Sequence, residues 1–374
     1  MKIDEAKNLI KGNLRRAVEK GIYLATEFQS GPGMGKSAIN EQAACEMSIA
    51  LNRPVAYIPF FLSTVEPPDV RGYGIPTKSP EGKMRMVYTE APWMPGGEIG
   101  FIAENGKLRR AVKGDPPPPC GIVNLDEFRQ AGLDTQKPAA ELFLNRRVGE
   151  SHLPDGYIVT ACSNRESDRS GVQRELAFIT NRRSVIKIEP NLDAWVNWAE
   201  KEDIHPLAIA FARTKPGLVF ADAVPEKPGP FCTPRSLVKC SYLIGEMDMG
   251  TFTEVAMGTI GEGAAGEFVA FLRVAEQLPK FEDIVKDPKG TAVPNRPDAS
   301  YAAMQMIAHR VDAKTAVAAF TYLSRMTKEF QVAGLRGTFN RVPQLVHSQD
   351  FAAWLRDNKQ LVMAANLVGK KQAS

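Results

Sequence analysis

Apolar residues recur every three or four positions at Ile3, Ala6, Leu9, Ile10, Leu14, Ala17 and Val18, and Gly21 breaks the run. That period predicts an amphipathic helix with a glycine stop. The pattern then changes: Ile22 to Phe28 is a short apolar run, Lys36 to about Leu51 is helical in period, and Val55 to Phe61 is apolar again. Strand, helix and strand in succession open a βαβ unit. Gly121 to Leu125, Tyr157 to Cys162 and Ser184 to Ile188 are three further short apolar runs bounded by turn or helix residues, as buried strands are. Five such strands with helices between them predict an α/β fold with a five-stranded parallel sheet.

After Pro190 the strand-like runs stop. Leu192 to Glu200, Pro206 to Arg213 and Ser236 to Met247 are helical in period, as are Tyr301 to Phe330 and Gln349 to Leu367. Breaks rich in Gly and Pro fall at Ala221 to Phe231 and Lys286 to Asp298. The expected organisation is an α/β domain over 1–190, a helical domain over 191–285 and a helical C-terminal extension over 286–374. There is no internal repeat, and the four prolines Pro116 to Pro119 form a stiff lead into the third strand.

Composition narrows the class. A chain of 374 residues can bury a substantial core. Lys and Arg total 47 against 43 Asp and Glu, a formal charge of +4, which lacks the concentrated basic footprint of an obligate nucleic-acid binder. The five cysteines (Cys45, Cys120, Cys162, Cys232, Cys240) are far apart with no metal-ligand spacing, and the four histidines are scattered. The cysteines read as small buried or half-buried residues of a reducing compartment, and each histidine as a satisfied surface or core residue. Charges interrupt every apolar stretch, so neither a signal-peptide core nor a membrane span is expected, and the expected location is the cytoplasm.

The candidate chemistry begins at Ser30-Gly31-Pro32-Gly33-Met34-Gly35-Lys36-Ser37, between the first strand and the next helix. Glycines let backbone N–H groups turn inward around a phosphate, the helix start supplies positive potential, and a lysine adds a mobile charge. Gly31, Pro32, Gly33, Met34, Gly35 and Lys36 would cradle the phosphates of a nucleotide, and Ser37 would reach Mg2+ through its hydroxyl. Ser30 departs from the G-x-x-x-x-G-K-[ST] pattern, which has glycine there.

Downstream, the strand Gly121 to Leu125 runs into two acids, Asp126 and Glu127. Asp126 could hold the hydration shell of the magnesium ion while Glu127 activates water against the γ-phosphate; acids also suit a helix start for dipole reasons. Asn164 follows the fourth strand, where an amide could position that water or simply make a turn. Arg182 and Arg183 precede the fifth strand and could present an arginine to a neighbouring subunit's nucleotide, or form a solvated face. Thr233-Pro234-Arg235-Ser236 reads as a helix start with Thr233 as N-cap and Pro234 at the first position, from which Arg235 could meet a phosphate. With no N-K-x-D motif in the chain, ATP is preferred over GTP.

In this order the residues resemble the AAA+ ATPases, specifically the MoxR branch. Glu66-Pro67-Pro68-Asp69-Val70-Arg71-Gly72 is similar to that branch's "PEDLxG" segment, and Leu125 to Ala131 to its "xDEINRA" segment. Arg146 to Glu150 with Leu153 to Gly156, Asn164 to Asp168 and Trp195 to Ala199 extend the likeness, which covers most of residues 20 to 245. The resemblance implies a P-loop AAA+ core followed by a helical lid. It implies Lys36 and Ser37 as Walker A, Asp126 and Glu127 as Walker B, Asn164 as sensor 1, Arg182 as the arginine finger and Arg235 as sensor 2. Arg183 stands where the family usually has an aromatic residue, which leaves the finger between Arg182 and Arg183. The function implied is a chaperone-like, ATP-hydrolysing remodelling motor, a homo-hexamer acting on a protein partner of the von Willebrand factor A class. A nucleotide-gated binding module with slow hydrolysis, or a nucleic-acid-handling AAA+ motor, are the alternatives.

Overall fold

The structure is a computed structural model that describes residues 1–95, 100–168, 170–172 and 177–366. It divides into two compact units, Met1–Pro190 with Asp222–Val224, and Asn191–Ala221 with Pro225–Ser374.

The first unit is α/β. Helix α1 (Ile3–Lys20) ends where Gly21 takes a left-handed conformation at φ 63°, and β1 (Thr26–Gln29), α2 (Lys36–Ala50) and β2 (Val55–Phe61) follow. Then come α3 (Pro67–Arg71), a hairpin of β3 (Gly74–Lys78) and β4 (Met84–Tyr88), and a second hairpin of β5 (Phe101–Glu104) and β6 (Lys107–Arg110). The remainder is β7 (Gly121–Asp126), α4 (Leu133–Asn145), β8 (Arg147–Val148), β9 (Ser151–His152), β10 (Tyr157–Ser163), α5 (Ala177–Thr180) and β11 (Ser184–Lys187).

The central sheet has seven strands in the order β11-β1-β10-β7-β2-β5-β6. The first five pair in parallel, whereas β5 adds antiparallel to β2 and β6 antiparallel to β5. The expectation of five strands therefore missed a hairpin at the sheet edge. Its signal was the dipeptide Asn105-Gly106, both at positive φ (50° and 78°), the left-handed pair that joins tightly connected antiparallel strands. Lys107, Arg109 and Arg110 along β6 put charge on that edge, which discourages pairing with another chain. The first strand is also shorter than its apolar run, because Ile22 is exposed and the carbonyl of Leu24 accepts from Asn13 Nδ2 at 2.5 Å.

Both faces of the sheet are covered, as the period of two requires when helices pack on either side. Ile122 and Ile158 face a core with Ile10 and Leu14 of α1 and Ile39 and Met47 of α2. Their neighbours Val123 and Val159 face the opposite core with Phe60, Trp93, Phe128 and Phe143. Each such large side chain contributes roughly 1.5–3 kcal/mol by leaving water.

The second unit is helical: α6 (Leu192–Lys201), α7 (Pro206–Thr214), α8 (Pro216–Val219), α9 (Pro234–Ser241), α10 (Met249–Ile260) and α11 (Glu262–Glu276), then α12 (Phe281–Lys286), α13 (Pro297–Arg310), α14 (Ala316–Leu323), α15 (Lys328–Arg341), α16 (Gln349–Asp357) and α17 (Lys359–Ala364). It holds two apolar cores, one around Phe211, Phe268 and Leu272 and one around Phe320, Leu335 and Phe351; Tyr301 packs against both. The expected run from Tyr301 to Phe330 is two helices and the start of a third, interrupted after Arg310 and again after Leu323. Leu367 lies outside the described residues. Among the described residues no helix is long and apolar enough to cross a membrane.

Candidate phosphate-binding site

The loop between β1 and α2 lies at the carboxyl end of the parallel strands, with β10 and β7 as the next strands across the sheet. This is where open α/β sheets place ligands. Gly33 and Gly35 carry φ of 72° and 89°, a region that side chains disfavour. Ser30 is not at positive φ, so glycine is not needed at the irregular first position. Its backbone carbonyl and hydroxyl instead accept from Lys36 Nζ at 3.0 and 3.3 Å.

Lys36 is 8% exposed, and its ammonium also donates to the Gly31 carbonyl at 2.9 Å and to Asn164 Oδ1 at 2.9 Å. Ser37 Oγ donates to Asp126 Oδ2 at 2.5 Å. The end of β1, the start of α2, the end of β7 and the end of β10 thus converge on one loop. Burial pushes the Asp126 carboxyl above its ordinary range, opposed by Ser37, by the Glu127 backbone N–H and by Lys36. A carboxylate and a hydroxyl joined beside a lysine are hard oxygen donors of the kind Mg2+ takes along with water and phosphate. Among the described residues no group of three or more His, Cys, Asp or Glu could hold a metal ion.

Glu127 sits at φ 54°, an uncommon conformation for a residue with a side chain. Its carboxylate accepts a short hydrogen bond from Ser63 Oγ, just beyond the end of β2. Sequence reasoning passed over Ser63; its signal was its place at the carboxyl end of the strand beside the acidic one.

Arg182 and Arg183 part company. Arg183 has a fully buried side chain paired with the equally buried Glu27 of β1. Its Nη1 donates to the Ile179 carbonyl at 2.8 Å, and its guanidinium stacks on Phe128 and Phe143. The reading of Arg183 as an arginine offered to a neighbouring subunit is therefore corrected: it is an internal ion pair that fixes β11 against the sheet. Arg182 is partly exposed beside the Phe178 ring, with Nη1 3.5 Å from the Ala140 carbonyl. Arg235 belongs to the second unit, exposed at the start of α9, where Thr233 Oγ1 accepts from the Ser236 N–H at 3.1 Å.

Beneath the loop lies a polar cluster that the sequence did not announce. Asn40 of α2, fully buried, donates to the Lys36 carbonyl at 3.2 Å and accepts from Thr160 Oγ1 at 2.9 Å. Cys162 Sγ of β10 donates to Asn124 Oδ1 of β7 at 3.3 Å, and Thr160 Oγ1 lies at the same distance from that oxygen. These contacts fix the register of α2 over the two strands that carry Asn164 and Asp126. Arg165, next to Asn164, is held by Asp168 and by Asp222, and its Nη2 lies 3.3 Å from where a Cβ on Gly31 would be.

No protein-family model matches the chain, and no curated protein matches it. Among solved structures, a RuvB variant of Thermotoga maritima is 13% identical and overlaps 76% of this chain and 75% of its own, with a TM-score of 0.39. NtrX of Brucella abortus, solved with ADP, is 14% identical over 95% of this chain and 68% of its own, with a TM-score of 0.29.

Proposed function

We propose that the first unit binds Mg2+-ATP at Gly31 to Ser37 and hydrolyses it, as an AAA+ ATPase does. One observation carries the reading: Lys36 Nζ meets Asn164 while Ser37 meets Asp126, so four chain segments bring a phosphate cradle, a metal-binding pair and a polar strand end to one point. Lys36 and the loop N–H groups bind and orient the phosphates, Ser37 and Asp126 would hold the ion, and Asn164 and Glu127 would flank the lytic water. When bound, the ion would supply charge neutralisation; the chain's contribution is positioning and electrostatics. Glu127 accepts the water's proton once its carboxylate leaves Ser63.

The resemblance carries the rest of the proposal. Residues 1–190 are the AAA+ core, 191–285 the lid and 286–374 an extension. The protein is a MoxR-type, chaperone-like motor of the cytoplasm, assembled as a ring of six, with Arg182 completing the neighbour's site, Arg235 contacting the nucleotide from the lid, and a von Willebrand factor A domain protein as partner. Purified protein should hydrolyse ATP only with Mg2+, and Glu127→Gln should keep nucleotide binding while lowering turnover by about 10²–10⁴-fold. Unchanged turnover in Glu127→Gln would remove that residue from the mechanism, and absence of nucleotide binding by the wild type would remove the reading.

A further inference from the structure

The second unit contains a cleft of about 610 Å³ between α6 and α15. Its lining includes Asn197 of α6, Arg213 of α7, Lys328, Arg336 and Asn340 of α15, with Asp193 and Glu329 also bordering it. Residues 328, 332, 336 and 340 recur at helical spacing, so α15 presents one continuous face to the cleft.

Arg213 is the informative member. Its side chain is only 15% exposed, and its ion pair with Glu200, the one it makes among the described residues, is 3.6 Å long, beyond hydrogen-bond reach. Its Nε is buried with no partner. The Glu200 carboxylate also accepts from Gln305 Nε2 at 3.3 Å and from Asn340 Nδ2 at 2.8 Å. A guanidinium carries five N–H donors, and a buried one lacking acceptors is costly. Arg213 borders the cleft, so an oxyanion there could be met by its Nη groups. Across from it, Lys328 makes no ion pair among the described residues. Arg336 is tied by Nε and Nη2 to the carbonyls of Ala365 and Ala364, which fixes its guanidinium at the wall. On the acidic side, Glu329 is engaged by the Tyr301 hydroxyl.

We infer that this cleft binds a small oxyanion, a phosphate ester or a carboxylate, with Arg213 and Lys328 as the groups that take its charge. Arg213 offers a planar fork matched to two oxygens, and Lys328 a point charge. Lys328 is also the first residue of a 14-residue helix, so the dipole of α15 adds to its charge. The inference is independent of the nucleotide reading of the first unit.

The test uses the full chain carrying Lys36→Ala, so that the phosphate loop contributes little to binding, with inorganic phosphate and citrate as probes in calorimetric titrations at low salt. Saturable binding of at least one anion is expected, weakened about tenfold or more (1.4 kcal/mol) by Lys328→Gln and by Arg213→Gln. Tighter binding of phosphate assigns the site to phosphate esters, and tighter binding of citrate to carboxylates. Because Arg213→Gln disturbs the Glu200 cluster, its fold is checked by circular dichroism, and the exposed Lys328→Gln carries the test if it fails. No saturable binding, or binding that Lys328→Gln leaves unchanged, overturns the inference.

Discussion

Lys36 Nζ donates to Asn164 Oδ1 at 2.9 Å across 128 positions of sequence. The ammonium is further held by the Ser30 and Gly31 carbonyls, so a phosphate arriving at the loop must draw it from Asn164, or share it. Asn164→Ala should therefore leave nucleotide affinity within a few-fold and lower kcat by about 10²-fold, as expected when one positioning dipole is lost. Equilibrium binding of a fluorescent ADP analogue, measured beside steady-state hydrolysis, separates the two. If affinity and kcat fall together, Asn164 acts only by placing the lysine.

Much of this site was legible in the sequence because each contributor ends a strand. Asp126 and Asn164 follow apolar runs whose length and composition mark them as buried, and the loop follows a third such run; parallel strands then bring their carboxyl ends together without further information. Arg183 was not legible. Two adjacent arginines before a strand read alike, and only the alternation of faces sends one inward to Glu27, a partner 156 positions away. The edge hairpin was lost for the opposite reason, because a local Asn-Gly signal was outweighed by the absence of a long apolar run. Ser63 and Asn40 carry no type-specific pattern, and their contacts with Glu127 and Thr160 exist only once the sheet has formed.

Asp126 gives a prediction about the protein without ligand. Burial raises its carboxyl pKa above the ordinary value of 3.8, so the folded state takes up a proton more readily than the unfolded one. Its contribution is favourable below 3.8 and is lost as pH rises through the raised value; at neutral pH the buried carboxylate costs stability. Asp126→Asn keeps an acceptor for Ser37 and removes the charge. The ligand-free variant should melt a few degrees higher, a gain of about 1 kcal/mol, and should lose the extra stabilisation that Mg2+ adds to nucleotide. Thermal melts with and without Mg2+-ADP test both halves, and a lower melting point in the ligand-free variant contradicts the argument.

The two neighbouring arginines should respond in opposite ways. Removing Arg183 leaves Glu27 charged and buried with its ion pair gone, which costs about 3–5 kcal/mol, so Arg183→Ala should lower the denaturation midpoint sharply or prevent folding. Arg182→Ala should leave that midpoint nearly unchanged and, if Arg182 serves a neighbouring subunit, reduce turnover by about 10³-fold or more. Chemical denaturation beside hydrolysis assays at several protein concentrations distinguishes them. An Arg183→Ala protein as stable as the wild type would refute the internal role.

The helical unit has a pH dependence of its own. His205 caps α7, its Nδ1 accepting from the Leu207 N–H at 3.3 Å, which requires that nitrogen to be unprotonated. Burial, with a smaller contribution from His309, lowers its pKa from 6.5 to about 4. The folded state therefore binds fewer protons than the unfolded state between those values. Stability is full above pH 6.5 and falls as pH drops towards 4, where protonation also removes the cap. His205→Asn keeps a capping oxygen and does not titrate. Urea midpoints measured at neutral pH and near pH 5 should fall less for His205→Asn than for the wild type; equal declines would assign the acid sensitivity to other groups, with His309 beside Asp203 the next to test.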